Sequence, residues 1–213
     1  MNYIISKFAH ELRNPMTSLY SSIQFIEYEH PEVKDFKFWS NINDDIEYMN
    51  RLISDLSEYS KSETLHTSTF SLRALLEKVS LSFAAMIADS DVEYTSKIAP
   101  SINQITGDKT KLQEVFLNLL KNAYDASLPD KSIYLKATST KDEILIHIKD
   151  TGCGMSEEQL KTIFEPFVTY KEQGTGLGLP ICKQIVELHQ GTISVSSKVN
   201  AGTTILIKLP LNM

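Results

Sequence analysis

The chain has 213 residues, 42% of them hydrophobic and 23% charged, with a formal net charge of −6. An acidic balance argues against a nucleic-acid backbone or an anionic membrane surface as partner. Its two cysteines, Cys153 and Cys182, exclude a disulfide framework and point to a reducing cytoplasm. No uninterrupted apolar run is long enough to span a bilayer, and charge interrupts residues 1–9 too soon for a secretory signal. Membrane attachment is therefore expected only through regions absent from this chain.

From the amino end, Ile5, Phe8, Leu12, Met16, Leu19, Ile23 and Ile26 recur at steps of three and four. That stripe predicts an amphipathic helix, closed by Pro31. A second stripe, Ile42, Ile46, Met49, Ile53 and Leu56, has heptad-like spacing suited to side-by-side packing. Two helices alone leave much of each stripe wet, so a homodimer forming a four-helix bundle is expected.

A polar stretch, Lys61–Ser68, divides a helical hairpin (1–65) from a second domain (66–213). Leu72 to Ala88 reads as a helix and Val92 to Ile98 as a strand. Asp108 is placed to cap a helix through Leu112, Val115, Phe116, Leu119 and Ala123. Segments 132–138, 143–149, 192–197 and 203–209 alternate as antiparallel strands, with a helix over Leu179–Leu188. Helices gathered on one face of such a sheet make an α+β sandwich.

Four places carry chemistry. His10 lies two positions from both Phe8 and Leu12, about 200° around the helix, and so faces solvent rather than the stripe. Glu11 adjoins it, and Asn14 follows one turn on along the same face. Pro15 interrupts the helix just beyond and invites a kink. An imidazole beside a carboxylate can act as a nucleophile, although a surface histidine presents the same pattern. On the helix after Asp108, Glu114, Asn118 and Asn122 form a polar row. It reads either as a solvated face or as neutral oxygens for a cation such as Mg²⁺. Asp150-Thr151-Gly152-Cys153-Gly154 follows a strand, so the backbone can approach a flat ligand closely while Asp150 offers an acceptor. Gly174-Thr175-Gly176-Leu177-Gly178 feeds a helix and can cradle phosphate with its N–H groups. The segment between these glycine clusters, 155–173, contains Phe164-Glu165-Pro166-Phe167 and Lys171 and is long enough to be a lid.

In this order, the motifs resemble those of the two-component sensor histidine kinases over nearly the whole chain. His10-Glu11-Leu12-Arg13-Asn14-Pro15 resembles the phospho-acceptor box, and Asn118-Leu119-Leu120-Lys121-Asn122-Ala123 the asparagine box. Asp150–Gly154 and Gly174–Gly178 resemble the two glycine boxes, Phe164–Phe167 the phenylalanine box, and Gly202-Thr203-Thr204 a closing glycine turn.

The resemblance implies a dimeric phospho-acceptor hairpin followed by a Bergerat-type ATP-binding domain. It implies ATP and Mg²⁺ as cofactors, with Asn122 holding the metal and Asn118 assisting. Asp150 would take the adenine amino group. Lys121, Gly152, Gly154 and Thr203 would complete the nucleotide contacts on one side, and Lys171, Gly174, Thr175, Gly176, Leu177 and Gly178 on the other. Glu11 would help deprotonate His10, and Asn14 would position water for dephosphorylating the partner, a response-regulator receiver domain. The family carries a sensory region before the hairpin, whereas nine residues precede His10 here. The sensory region is therefore expected to lie outside this chain, or the input to arrive through a partner. The rival readings are a gyrase-like, chaperone or serine-kinase ATPase of the same nucleotide fold, a dimeric binding module without activity, and a phosphatase. An acid-labile phosphoprotein separates the first from a histidine kinase.

Overall fold

The computed structural model describes residues 2–61, 65–127, 132–171 and 174–211. It divides into two compact units: Met1–Ser62 with Phe167–Leu177, and Glu63–Pro166 with Gly178–Met213.

The first unit is built on a hairpin of α1 (Asn2–Glu29) and α2 (Trp39–Lys61), joined through a short 3-10 turn at Pro31–Asp35. Contrary to expectation, α1 runs through Pro15 without interruption. Proline removes one backbone donor, and the turns on either side keep theirs. The connection is fixed from α1: the Glu27 carboxylate accepts from Trp39 Nε1 at 2.7 Å and Asn43 Nδ2 at 2.9 Å. Lys34 adds an ion pair at 3.8 Å. These contacts, the two side-chain donors foremost, hold the Glu27 carboxyl below its ordinary range.

Each helix carries two heptad-spaced rows. Ala9 and Ile23 on α1 and Ile46 and Ile53 on α2 are buried, with Met16 half-buried between the first pair. A parallel row, Leu12, Leu19 and Ile26 on α1 with Ile42 and Met49 on α2, remains between 37% and 45% exposed. The first stripe read from sequence thus merges a row that packs within the hairpin with one left open.

The second unit centres on a five-stranded sheet in the order β2-β4-β5-β7-β6. Its strands are β2 (Glu93–Ile98), β4 (Ser132–Ser139), β5 (Glu143–Asp150), β6 (Thr192–Lys198) and β7 (Gly202–Pro210). Residues pointing to one face interleave across it: Leu135 lies opposite Ile148, Ile148 opposite Ile205, and Ile146 opposite Ile207. All of these are buried, as alternation on a one-sided sheet requires. Three helices supply the other half of the core: α3 (Leu72–Met86), α4 (Lys109–Asp125) and α6 (Gly178–Leu188). Their buried residues include Leu76, Phe83, Phe116, Leu119, Ile181 and Val186. Phe83 meets Tyr94 of β2 edge-on, with ring centroids 4.9 Å apart.

Three features went unread in the sequence. Strand β2 pairs parallel to β4, whereas the four alternating segments pair antiparallel as expected. The chain between β2 and β4 contains α4, and a helical crossover returns a strand parallel to its neighbour. A separate two-stranded sheet joins β1 (Ser68–Ser71) to β3 (Gln104–Gly107). The proposed lid also contains a short helix, α5 (Glu157–Thr162), started by a capping box between Ser156 and Gln159. Residues 62–64 of the expected linker and 172–173 of the lid lie outside the described residues.

Candidate functional site

His10 stands exposed on α1, between buried Ala9 and exposed Glu11. Glu11 reaches back to Lys7 at 4.0 Å, an exposed i,i+4 pair that adds little stability. Asn14, also exposed, lies one turn further along the same helix.

In the second unit, α4 starts at Asp108 as expected. Oδ1 of Asp108 accepts from the backbone N–H groups of Thr110 and Lys111, each at 3.1 Å, and Oδ2 accepts from His66 N at 2.9 Å. Burial raises the carboxyl's pKa, but these donors outweigh it and the net shift is downward. So anchored, α4 presents Asn118 and Asn122 half-buried and Lys121 exposed. The Asn118 side chain bonds the thiol of fully buried Cys182 on α6.

Asp150 closes β5 and is buried. Oδ1 accepts from Gly152 N at 2.9 Å and Thr203 N at 3.1 Å, and neither bond falls on Oδ2. Burial, the largest influence, raises this carboxyl's pKa against those donors and Asp150's own amide. Its surroundings need glycine. A Cβ on Gly152 would lie 2.1 Å from the Ala126 carbonyl oxygen, and one on Gly202, at φ +90°, would lie 2.1 Å from Asp150 O. Thr203 therefore serves Asp150 through its backbone, while its hydroxyl lies 2.9 Å from Ser197 Oγ. The hydroxyl partnership was not foreseen, because Ser197 and Thr203 meet only through the β6–β7 pairing.

The second glycine cluster is divided between the units. Lys171 and Gly174–Leu177 belong with the hairpin, and Gly178 opens α6 in the other unit. Thr175 Oγ1 donates to Asp55 Oδ2 of α2 at 2.6 Å, and Gly176 O accepts from Phe167 N at 3.0 Å. A Cβ on Gly178 would meet nothing within 4 Å, leaving space at the start of α6.

His10, Glu11 and Asn14 thus lie in the helical unit. Asn118, Lys121, Asn122, Asp150, Gly152, Gly154, Gly178 and Thr203 lie together in the sheet unit. Asp55 and Ser197 were missed, since no local pattern marks a partner more than a hundred residues away or across a strand pair.

Against known families, residues 107–213 match the model described as "Histidine kinase-, DNA gyrase B-, and HSP90-like ATPase". Residues 1–65 match the "His Kinase A (phospho-acceptor) domain". The chain belongs to the histidine kinase family. Sporulation kinase C of Bacillus subtilis (strain 168) is 33% identical over 205 residues, covering 95% of this chain and 47% of that kinase. The chain spans about half or less of the length of the curated relatives it matches. Full-length ShkA in complex with AMPPNP has the same fold, with TM-score 0.82 and 19% identity, over 99% of this chain and 46% of ShkA. So has histidine kinase ThkA in complex with response regulator protein TrrA, with TM-score 0.71 and 24% identity, over 98% of this chain and 61% of that one. The ATPase model covers the asparagine row, Asp150 and both glycine clusters, and the phospho-acceptor model covers His10.

The donors present suit Mg-ATP. Asp150 gathers its Gly152 and Thr203 donors on Oδ1, leaving Oδ2 clear of both, at a position where only glycine fits beside it. Gly178 leaves room at a helix N-terminus, where phosphate is favoured. Asn118 and Asn122 bring the neutral oxygen type that magnesium shares with phosphates. Among the described residues no group of three or more His, Cys, Asp or Glu could hold a metal by itself, so a metal here would depend on amide and phosphate oxygens.

Proposed function

We propose that this chain is the catalytic part of a homodimeric, cytoplasmic histidine kinase that uses Mg-ATP to phosphorylate His10 and passes the phosphoryl group to a receiver aspartate. The observation that carries this reading is the buried Asp150, with one oxygen committed to two backbone amides, in a chain whose α1 holds His10 in solvent. The domain division at 65/66 follows the same reading, with the linker as the hinge by which the nucleotide domain reaches His10.

In this mechanism Asp150 Oδ2 accepts from the adenine amino group, and Gly152 and Gly154 keep the backbone clear of the ring. Gly174–Gly178 and Lys171 face the phosphates, with Lys121 and Thr203 at the margins of the site. Asn122, assisted by Asn118, would hold Mg²⁺, which neutralises charge on the phosphates. A His10 ring nitrogen attacks the γ-phosphorus as the bond to the β,γ-bridging oxygen breaks and ADP leaves. Glu11 takes the imidazole proton. The phosphoramidate then gives its phosphoryl group to a receiver aspartate, and the complex of ThkA with a response regulator supports that class of partner. Asn14, exposed one turn from His10, would position water for the reverse duty, dephosphorylation of the partner.

The test is labelling with γ-³²P-ATP. Wild-type protein should acquire an acid-labile, base-stable label. His10→Gln should lose it while still binding nucleotide. Label that survives this substitution, or that resists acid, would overturn the reading.

A further inference from the structure

Helices α4 and α6 carry the asparagine row and the end of the second glycine cluster, so their relative placement shapes the nucleotide site. They are tied at two points. Midway, the fully buried Cys182 thiol donates to Val115 O at 3.9 Å and bonds the Asn118 side chain. Burial above all, with the nearby charge of Glu114 adding to it, pushes this thiol up to about 12, so it keeps its proton. At the far end, His189 follows the last residue of α6 and is 1% exposed.

The His189 ring has one consistent protonation. Nδ1 lies 2.7 Å from Ile185 O, and a carbonyl only accepts, so Nδ1 carries the hydrogen. Nε2 is then bare and accepts the N–H of Asp108 at 2.9 Å. The preceding residue is glycine for the same reason: a Cβ on Gly107 would come within 2.8 Å of His189 Cδ2. The neutral ring thus joins the end of α6 to the residue that caps α4 and grips the chain at His66.

We propose that His189 is a positioning residue for nucleotide binding, and that its protonation loosens the α4–α6 junction and weakens ATP binding in mild acid. A proton on Nε2 would set a donor against the Asp108 N–H, orphaning a buried amide. The charged groups facing the ring come from the start of α4: the carboxylate of its cap, Asp108, favours protonation and the Lys111 ammonium opposes it. Burial is the largest influence, and it holds the ring below the ordinary histidine range. The neutral form is therefore complete above that range and is lost as pH falls through the lowered value.

This inference rests on the nucleotide site proposed above, and isothermal titration of ATP in the presence of Mg²⁺ tests the two separately. His189→Leu should weaken binding about tenfold at pH 7.5, while His189→Gln, whose Oε1 can accept the Asp108 N–H, should stay within about threefold. Between pH 7.5 and 5.5, wild type should lose affinity relative to His189→Gln; taking that ratio cancels the titration of ATP itself. At saturating ATP, self-labelling by His189→Leu should approach the wild-type rate, so that KM rather than kcat moves. Parallel pH profiles for wild type and the glutamine variant, or undiminished binding by the leucine variant, would overturn the role of His189 alone. If the leucine variant does not fold, the pH ratio decides. No ATP binding by wild type at pH 7.5 would overturn the nucleotide site and this inference with it.

Discussion

The Asp150 carboxylate is buried, and burial disfavours its charge, yet the bond proposed to an adenine amino group is stronger to a charged acceptor. Because its pKa is raised, the folded chain prefers the neutral acid. That stabilisation is full below the ordinary aspartate range and is lost as pH rises through the raised value. Asp150→Asn keeps an Oδ1 for Gly152 N and Thr203 N while removing the buried charge. Its melting temperature at pH 7 should equal or exceed wild type, the two converging in acid, while ATP affinity falls about tenfold or more for the lost charge-assisted bond. A pH series of thermal melts beside a binding titration reads both, and a variant that melts lower yet binds normally would contradict the account. Asp108 behaves oppositely. Its pKa is lowered, so its contribution is present above the ordinary aspartate range and is lost as pH falls through the lowered value. Asp108→Ala should cost about 1–2 kcal/mol in urea unfolding at pH 7, and the deficit should shrink towards acid. A gap that does not change with pH would assign the loss to something other than the cap.

Among the elements, what the sequence made legible was periodicity. Helices α1, α2, α4 and α6 and four of the sheet strands carry long, regular patterns, and the structure has them where those patterns lie. Strands β1 and β3 span four residues each, too few for alternation to register, and the parallel partner of β2 is chosen by the crossover rather than by its own side chains. At the site, the Asp108 cap was readable because its donors are two and three residues away. Its bond to His66 and the His189–Asp108 bond join positions brought together only by the fold. The hairpin's apolar stripes were visible as spacing, but their division into a row facing the sister helix and an open row was not, because both rows contain large apolar residues. The open row supports a dimer. Burying a leucine fully is worth about 1.5–3 kcal/mol, so Leu19→Glu with Met49→Glu should convert a dimer to monomer in sedimentation velocity. The nucleotide unit should bind ATP unchanged. A double variant that sediments like wild type would place the interface elsewhere, and a wild-type monomer would remove the need for it.

At the scale of the whole molecule, each unit has its own core. Ala9, Ile23, Ile46 and Ile53 hold the hairpin, while the sheet and its three helices close around Phe83, Phe116 and Ile146. On the proposed function, His10 and the Asp150 site sit on separate cores, and their meeting depends on local concentration. Covalent linkage supplies roughly millimolar effective concentration, and separate pieces at micromolar concentration would lose about a thousandfold of that. Residues 66–213 alone should bind ATP and take no label. Mixed with residues 1–65, they should label His10 slowly, at a rate that rises linearly with the concentration of the nucleotide piece. The segment Phe167–Leu177, which clusters with the hairpin, travels with the nucleotide piece in this experiment. Its Thr175–Asp55 bond would then have to form between molecules, so Asp55→Ala in the hairpin piece should lower the mixed rate further if that contact assists docking, and raise it if the contact restrains the loop. A nucleotide piece that labels itself would show that the phosphoryl acceptor is not on α1. A labelling rate independent of concentration would show that the pieces associate tightly without the linker.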